Sequence, residues 1–495
     1  MEYVLEKPHG THNLFELLTL KALLTFSTAK VLRGSSRVLP QIAVGTTILL
    51  FGSYLWSSHF ASRTVNPDHN KITLETGEVI KGDTGGHGLR IVVFGGGDIA
   101  TPNRASWRAD GPTSSWTDIL CLQLNCNPYV SFIPLTDDDG GAFVSNSLFE
   151  AALARTSTAG NDTTAGLDYS WLARNYPVPP HKDLLHQVEA FLASPMPLKP
   201  PRETLWIFNV GFWDIWSLSA LPLKVATRLI ETEAQHVLSQ VEILYEEAHK
   251  NDSVAFSDYY TGMGLDTVHV IGEHSLPQAP FRVFIPKPFD ISMTPGFDSV
   301  RFTPPPPHIQ AEQLRNAAFL TKHWDKVIQN MLNEWTTLPD LEEKKANLNG
   351  VPIPPARREA ISYDISSYIE ELIIEYQLRN ADLVDRNRLR SMAAAEGYTE
   401  IWKPCIQRND VPSGNSSSAE NATESDGWSV CNTPDEHLFQ TEFTVSRRTI
   451  FEIGKRAAKL LKRHMEMDEE WVRKAQLPLS SLRRGPGGEP ETRNS

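Results

Sequence analysis

Short apolar runs alternate with amphipathic stretches along the middle of the chain. The apolar runs predict strands, and the stretches with apolar positions at i, i+3 and i+4 predict helices. Strands that alternate with helices are typical of a parallel sheet with right-handed crossovers. The predicted fold class is therefore α/β, with a parallel sheet flanked by helices. The predicted strands are 91–94, 129–135, 205–210 and 281–286, and the predicted helices are 115–124, 184–192, 223–249 and 308–335.

The first predicted strand stops in three glycines, Gly95, Gly96 and Gly97, followed by Asp98. In open α/β sheets the ligand lies just beyond the carboxyl ends of the strands. Glycine there allows a sharp turn or a close approach of the backbone to a ligand. The sequence therefore predicts the active or binding centre at this turn, although the turn itself contains no Ser, Thr or Cys nucleophile.

Residues 39–56 carry no charge over a length that can just span a bilayer. Lys30, Arg33 and Arg37 precede this stretch and fewer basic residues follow it, so the positive-inside rule places the N terminus in the cytosol. We therefore expect a type II single-pass membrane protein whose main domain lies in the secretory-pathway lumen or outside the cell. A cleaved signal peptide and a buried core helix are the alternatives.

The anchor and the shifts in composition predict the domain organisation. Two Pro-, Asn- or Ser-rich stretches, near 336–358 and 409–426, are predicted to be insertions of the α/β domain. The predicted segments are a cytosolic tail at 1–38, a transmembrane helix at 39–57, a stem at 58–87, the α/β domain at 88–470 and a disordered tail at 471–495.

The cysteine count and the net charge agree with this compartment. Cys121 lies near Cys126 in the sequence, and Cys405 lies near Cys431. An even number of cysteines in a lumenal chain favours disulfides over four buried thiols, although Cys121 and Cys126 can pair only if the helix between them ends or bends. A net charge of -13 argues against nucleic-acid binding through a basic surface. The candidate glycosylation sites are Asn161, Asn251, Asn415 and Asn421.

Two short motifs indicate other chemistries. The spacing Gly95-x-Gly97-x-x-Ala100 matches the dinucleotide-binding motif in residue type. That motif needs a helix directly after the glycines, but Pro102 and other loop residues follow here. We therefore expect no nicotinamide cofactor, and no other cofactor. The run from Asp137 to Asp139 follows a predicted strand and is similar to the D-x-D motif of metal-dependent glycosyltransferases. An acidic turn before two glycines is the simpler interpretation, and no metal site is assigned.

Five sequence blocks occur in a fixed order between residues 88 and 470. Each block has the character of a strand, a strand exit or a following helix. In their order and spacing they resemble the fungal GDSL/SGNH group of lipases and acylhydrolases, which implies an SGNH-hydrolase-like sheet. The blocks are 89–95, 115–126, 208–216, 284–290 and 428–453.

The resemblance implies a Ser nucleophile after the first strand, an Asp-x-x-His near the C terminus, and an oxyanion hole formed in part by Gly and Asn. A Ser hydroxyl needs a His base, and the oxyanion needs preset donors. In this chain the Ser position is Gly97 or Ile99, and the Asp and His positions are Thr441 and Thr444. The oxyanion-region positions are Gly95 and Trp213, with Asp214 as the second alignment of the Asn position.

Because the Ser, the Asp and the His are all absent, the sequence predicts a catalytically degenerate protein that binds a glycan, a lipid or a protein partner. One alternative is an ester hydrolase or acyltransferase with a relocated catalytic set formed by Asp98, Asp214 and His437. The metal-dependent glycosyltransferase is the other. From the residues alone, the favoured interpretation is that Asp98 and Asp214 accept backbone N–H groups in their own turns.

Overall fold

The computed structural model describes residues 88–137, 139–159, 168–258, 280–339, 347–348, 351–352, 356–381, 397–408 and 428–475. The predicted cytosolic tail, transmembrane helix and stem lie outside these residues, as does the predicted insertion at 409–426. Within the described ranges, no helix is both long and apolar enough to cross a membrane.

The main sheet has five parallel strands in the order β2-β1-β3-β4-β7. The α/β class and the parallel sheet predicted from the sequence are therefore confirmed. Two small antiparallel pairs, β5 with β6 and β8 with β9, lie outside this sheet. The strands are β1 Leu89–Gly95, β2 Tyr129–Ser131, β3 Glu203–Asn209, β4 Pro280–Lys287, β5 Asn347–Leu348, β6 Val351–Pro352, β7 Arg357–Asp364, β8 Ile406–Arg408 and β9 Trp428–Val430.

The helices of the described residues cover and connect these strands. They are α1 Trp107–Asp110, α2 Trp116–Leu124, α3 Asn146–Ala159, α4 Leu172–Asn175, α5 Leu184–Leu192, α6 Phe212–Leu218, α7 Leu223–Glu247, α8 Pro295–Ser299, α9 Gln310–Thr336, α10 Ile365–Asn380 and α11 Arg447–Ala475. Short 3₁₀ turns occupy Ile291–Met293 and Pro434–Glu436. Helix α11 runs past residue 471, so the boundary predicted for the disordered tail lies too early.

Four predicted helices agree with the structure to within a few residues because their caps and apolar stripes are local. Helix α2 begins at a capping box in which Ser115 Oγ accepts the N–H of Asp118 and Asp118 Oδ2 accepts the N–H of Ser115. Helices α7 and α9 bury one stripe each and pack against one another.

Strand β7 was not predicted from the sequence. Its buried residues, Arg358, Ile361 and Tyr363, are separated by partly buried ones, so they form no continuous apolar run like that of β1. Arg357 and Arg358 belong to this strand, although the sequence placed them at the end of an insertion. The strand is at the sheet edge and pairs with β4 along its whole length, from Pro280↔Arg357 to Lys287↔Asp364.

The direction of the crossovers assigns the helices to the two faces of the sheet. Along the chain, β1 connects to β2 on one side, whereas β3, β4 and β7 follow on the other side. Right-handed connections then place α2 on one face and α3, α5, α7 and α9 on the opposite face. Helix α11 packs on α2, and α10 contacts both β4 and α11. The sheet therefore lies between two layers of helices, and its central strands β1, β3 and β4 are buried on both sides.

Both cysteine pairs form disulfides, so the predicted disulfides are confirmed: Cys121 with Cys126, and Cys405 with Cys431. Helix α2 ends at Leu124, and Asn125 has a left-handed φ of 51°, which turns the chain back and brings Cys126 to Cys121. The second disulfide links the chain beside β8 to the chain beside β9. Two disulfides are typical of an extracellular or lumenal compartment, where conditions are oxidising.

Candidate functional site

The strand order reverses between β1 and β3. In doubly wound sheets the crevice at such a switch point, outside the carboxyl ends of the strands, is the usual place for a ligand. Gly95 of β1 is in register with Asn209 of β3 at this point. The structure therefore puts the triple glycine at the position in the fold where a functional site is expected.

The turn after β1 is closely packed. Gly95 has a φ of +122° and Gly97 a φ of +85°, both in the region that favours glycine. A Cβ atom at Gly96 would overlap the carbonyl group of Ala142. The loop after β2 thus lies directly on the turn.

Two backbone N–H groups of the turn donate within the protein. The N–H of Gly95 donates to Gln187 Oε1 at 2.7 Å, and Gln187 Nε2 donates back to the carbonyl of Gly95 at 3.0 Å. The N–H of Gly96 donates to the carbonyl of Asn209 at 3.1 Å. An oxyanion hole requires free donors aimed at the reacting oxygen. These two N–H groups are not free to supply one.

Asp98 is buried and holds its own turn together. Its Oδ1 accepts the N–H of Ala100 at 2.9 Å and the hydroxyl of Thr101 at 3.0 Å, and its Oδ2 accepts Trp116 Nε1 at 2.9 Å. Burial raises the pKa of Asp98, and these hydrogen bonds oppose the rise. The geometry is that of an Asx-type turn that also fixes the start of α2.

Thr101 and Gln187 are the residues at the turn that sequence reasoning missed. Thr101 Oγ1 accepts the N–H of Asp98 at 3.1 Å and a long bond from Asn209 Nδ2 at 3.4 Å. The spacing Asp98-x-x-Thr101 was a visible signal for this turn. Gln187 lies 92 positions from Gly95 in the chain, and no local pattern indicates that contact.

Asp214 is buried at the start of α6. Its Oδ1 accepts the N–H of Val144 at 2.8 Å, and its Oδ2 accepts the N–H of Gly211 at 3.2 Å. Burial raises the pKa of Asp214 to about 6, against the effect of these N–H groups. Asp214 therefore caps α6 and fastens the loop that covers the glycine turn.

A second buried carboxyl, Glu233, lies on α7 and was not singled out from the sequence. Its side chain is about 1% exposed, and Oε2 has no hydrogen-bond partner in the part of the chain that the structure describes. Burial, and then the charge of Asp214, raise the pKa of Glu233 well above its usual value. Two carboxyl groups in one dry region disfavour a second negative charge.

As the pH rises from 5 to 9, the free energy of unfolding should fall less for the Glu233→Gln variant than for the wild type. A carboxyl whose pKa is raised by folding contributes its full stability below the pKa of the unfolded chain, and that contribution is lost as the pH rises through the folded pKa. A difference of one in pKa corresponds to about 1.4 kcal/mol, so the expected gain at high pH is on the order of 1 kcal/mol or more. The measurement is the free energy of unfolding against pH.

Glu246→Gln, an exposed carboxyl on the same helix, is the matched control and should follow the wild-type curve. Parallel curves for Glu233→Gln and the wild type would contradict a buried Glu233 whose pKa is raised by folding.

Aromatic side chains fill the remaining space at the switch point. Trp213, at the position of the oxyanion Asn, lies against Gly141, where a Cβ atom would overlap its indole ring. Its ring packs 5.3 Å from that of Phe443, and Phe443 packs 5.0 Å from Trp216. Trp213 is only 9% exposed. Aromatic rings therefore occupy this part of the switch point.

The terminal block contacts the turn after β1 through its backbone. The N–H of Val445 donates to the carbonyl of Ile99 at 2.9 Å. Thr441 Oγ1 accepts the N–H of Thr444 at 3.2 Å, so Thr441 caps its own turn. Thr441 and Thr444 are both buried. Val445 thus joins the terminal block to Ile99, and the side chain of Thr441 holds the backbone of its own turn.

His437 is placed apart from the two buried aspartates. Its Nδ1 pairs with the carbonyl of Lys403 at 2.8 Å, on the exposed side of the terminal block. In the described part of the chain, no hydrogen bond or ion pair joins His437 to Asp98 or Asp214. The hydroxyl group of Thr101 lies beside Gly97. Among the described residues, no histidine forms a hydrogen bond with it.

The acidic run has different partners at its two ends. Asp137 forms an exposed ion pair with Arg104 at 3.2 Å, whereas Asp139 accepts Asn103 Nδ2 at 3.0 Å. Asp138 lies outside the described residues. Among those that are described, no three His, Cys, Asp or Glu side chains are grouped to hold a metal ion.

Of the candidate glycosylation sites, Asn251 lies in an exposed turn after α7. Asn161, Asn415 and Asn421 lie outside the described residues. Exposure of Asn251 is compatible with modification.

No model of a known protein family matches the chain, and no curated protein is significantly similar to it in sequence.

Proposed function

We propose that this chain is a catalytically degenerate derivative of the SGNH/GDSL hydrolase fold that binds a ligand or a partner. The sheet order, with its switch point after β1, is compatible with that fold. The five sequence blocks fall on β1, α2, the β3–α6 junction, the exit of β4 and the approach to α11. A fold does not determine an activity, so the proposed function depends on the residues of the site.

One observation supports the proposal most directly: two carboxyl groups and two backbone N–H groups at the switch point form their hydrogen bonds within the protein. Asp98 and Asp214 accept backbone N–H groups, and the N–H groups of Gly95 and Gly96 donate within the protein. Nucleophilic catalysis needs a hydroxyl or thiol within hydrogen-bond reach of a base. The hydroxyl nearest to Gly97 belongs to Thr101, which donates to a carboxylate buried in its own turn.

The two alternative activities have no observation in their favour. A relocated set of Asp98, Asp214 and His437 requires side chains that share a space, but His437 contacts Lys403 at the surface. A D-x-D metal site requires Asp137 and Asp139 to converge, but they contact Arg104 and Asn103.

The proposed location is a membrane-anchored domain outside the cytosol. The disulfides support an oxidising compartment. The uncharged stretch at 39–56 and the basic residues before it support a type II anchor at 39–57. The partner itself, whether glycan, lipid or protein, is then one found in the secretory pathway or outside the cell.

The full-length chain should neither react with a fluorophosphonate probe nor hydrolyse p-nitrophenyl esters above the level of the heat-denatured protein. The physical reason is the absence of an activated hydroxyl at the switch point. Probe labelling on a gel and absorbance at the ester product wavelength are the two readouts, with a serine esterase as positive control.

Thr101→Val is the matched variant for this experiment, because it removes the hydroxyl beside Gly97 and keeps the side-chain shape. Labelling or turnover of the wild type that disappears in Thr101→Val, or in any variant of a named Ser or His, would overturn the proposal.

A further inference from the structure

A cleft of about 260 Å³ opens next to the switch point, on the face of the sheet covered by α3, α5 and α7. The first turns of α3 and α5 form two of its walls and the middle of α7 forms a third. Val144, which also lines it, donates its N–H to Asp214, so the cleft adjoins the site described above. Its polar lining residues include Asn146, Ser147, Glu150, Asp183, His186 and Gln240.

Two amide oxygens of the lining residues lack a donor. Gln240 is 5% exposed, and its Oε1 has no hydrogen-bond partner among the described residues. Asn146 donates its Nδ2 to the carbonyl of His181 at 2.9 Å, which assigns the orientation of the amide and leaves Oδ1 equally unpartnered. Buried acceptors without a partner are rare in folded proteins, and they are satisfied by groups that donate.

Asp183 and His186 give the cleft a fixed polar wall, and the exposed carboxyl group of Glu150 also lines it. Asp183 accepts the N–H of Asn146 at 3.1 Å and the N–H of His186 at 3.2 Å, so one carboxylate caps α3 and α5 together. His186 Nδ1 lies 2.5 Å from Asp183 Oδ1. That hydrogen bond raises the pKa of His186 and fixes its ring, whose other nitrogen remains available to a ligand.

This lining restricts the chemistry of the ligand. A lipid tail would leave the amide oxygens of Asn146 and Gln240 without donors, which is unfavourable. A metal ion is not indicated, because the described residues contain no group of three suitable ligands. A volume of about 260 Å³ is below the range of drug-sized sites, which begins near 300 Å³. The ligand is therefore small and rich in hydroxyl donors, and the carboxyl groups of Glu150 and Asp183 disfavour an anion.

We propose that this cleft binds one saccharide unit of a glycan, with its hydroxyl groups donating to the amide oxygens of Asn146 and Gln240 and pairing with Ser147 and the His186 ring. This inference rests on the proposed binding function and selects the glycan among its candidate partners. Sugar hydroxyls both donate and accept, so they match a lining that mixes amide, hydroxyl, imidazole and carboxylate groups.

The test is saturation-transfer-difference NMR and calorimetry on the full-length chain in a polyoxyethylene detergent, whose head group is not a sugar. The probes are glucose, mannose, galactose and N-acetylglucosamine, with choline and butyrate as charged competitors of similar size. We expect saturable binding of at least one saccharide and no binding of butyrate or choline. Gln240→Leu should weaken that binding about tenfold or more.

Gln235→Leu is the matched control, because it makes the same change at an exposed position of α7 and should bind like the wild type. Ser147→Ala, at an exposed position of α3, should also weaken binding and serves if Gln240→Leu does not fold. Absence of saccharide binding, binding of choline alone, or unchanged affinity in both cleft variants would overturn the inference. Those results differ from failure of the proposed function, which appears as fluorophosphonate labelling.

Discussion

Gly96→Ala should destabilise the protein by about 3 kcal/mol or more. The added Cβ would overlap the carbonyl group of Ala142, which is backbone and cannot rotate away. The loop after β2 would have to move off the end of β1. That movement would also strain the bond between the N–H of Val144 and Asp214. The free energy of unfolding in denaturant measures the loss.

Gly111→Ala is the control that separates crowding from backbone strain. Its Cβ would meet no heavy atom within 4 Å, but its φ of +76° is unfavourable for alanine. The expected cost is therefore only about 1–2 kcal/mol. If Gly96→Ala were no more destabilised than Gly111→Ala, the loop after β2 would not be packed on the glycine turn as described.

Replacing both Cys405 and Cys431 by alanine should cost about 3.5 kcal/mol of stability, because their disulfide closes a loop over a sequence separation of 26. The constraint on the unfolded chain grows with the length of the closed loop. Cys405 is also buried, and its N–H donates to the carbonyl of Phe439 at 3.1 Å. Loss of the disulfide therefore also loosens the terminal block that docks on Ile99. The midpoint of denaturant unfolding is the measurement.

The double alanine variant of Cys121 and Cys126 is the comparison, since that disulfide spans a separation of only 5. The same relation gives about 2 kcal/mol for it. Under reducing conditions the wild type should approach the stability of a chain without either disulfide. An equal loss from both double variants would contradict the dependence on loop length and indicate that local packing dominates.

The sequence pattern predicted β1, β3 and β4 and the helices α2, α5, α7 and α9 because each has a local signature. Strands buried on both faces are continuous apolar runs, and amphipathic helices repeat every three to four residues. Strand β2 is shorter than its apolar run indicated, since the chain pairs with β1 only from Tyr129 to Ser131. Strand β7 was not predicted because an edge strand needs to bury only some of its residues and therefore shows no continuous apolar run.

The location of the candidate site could be predicted from the sequence, but the hydrogen bonds of its residues could be predicted only in part. A glycine turn after the first strand of an α/β sheet indicates the switch point. The self-capping of Asp98 and Asp214 was the favoured interpretation from the sequence, and the hydrogen bonds of both residues agree with it. The bond from Val144 to Asp214 could not be predicted, because those residues are 70 positions apart.

The sequence by itself determined the α/β class, the parallel sheet, the glycine turn and the lack of Ser, Asp and His at the positions of the resembled family. These properties depend on residue type and on short-range periodicity, which the chain carries locally. Only the tertiary structure decided that Gln187 and Asn209 accept the N–H groups of Gly95 and Gly96. It also decided that Trp213 and Phe443 fill the switch point and that the cleft lies beside it. Those features depend on how distant segments dock, because a hydrogen bond or a packed ring is fixed by positions in space.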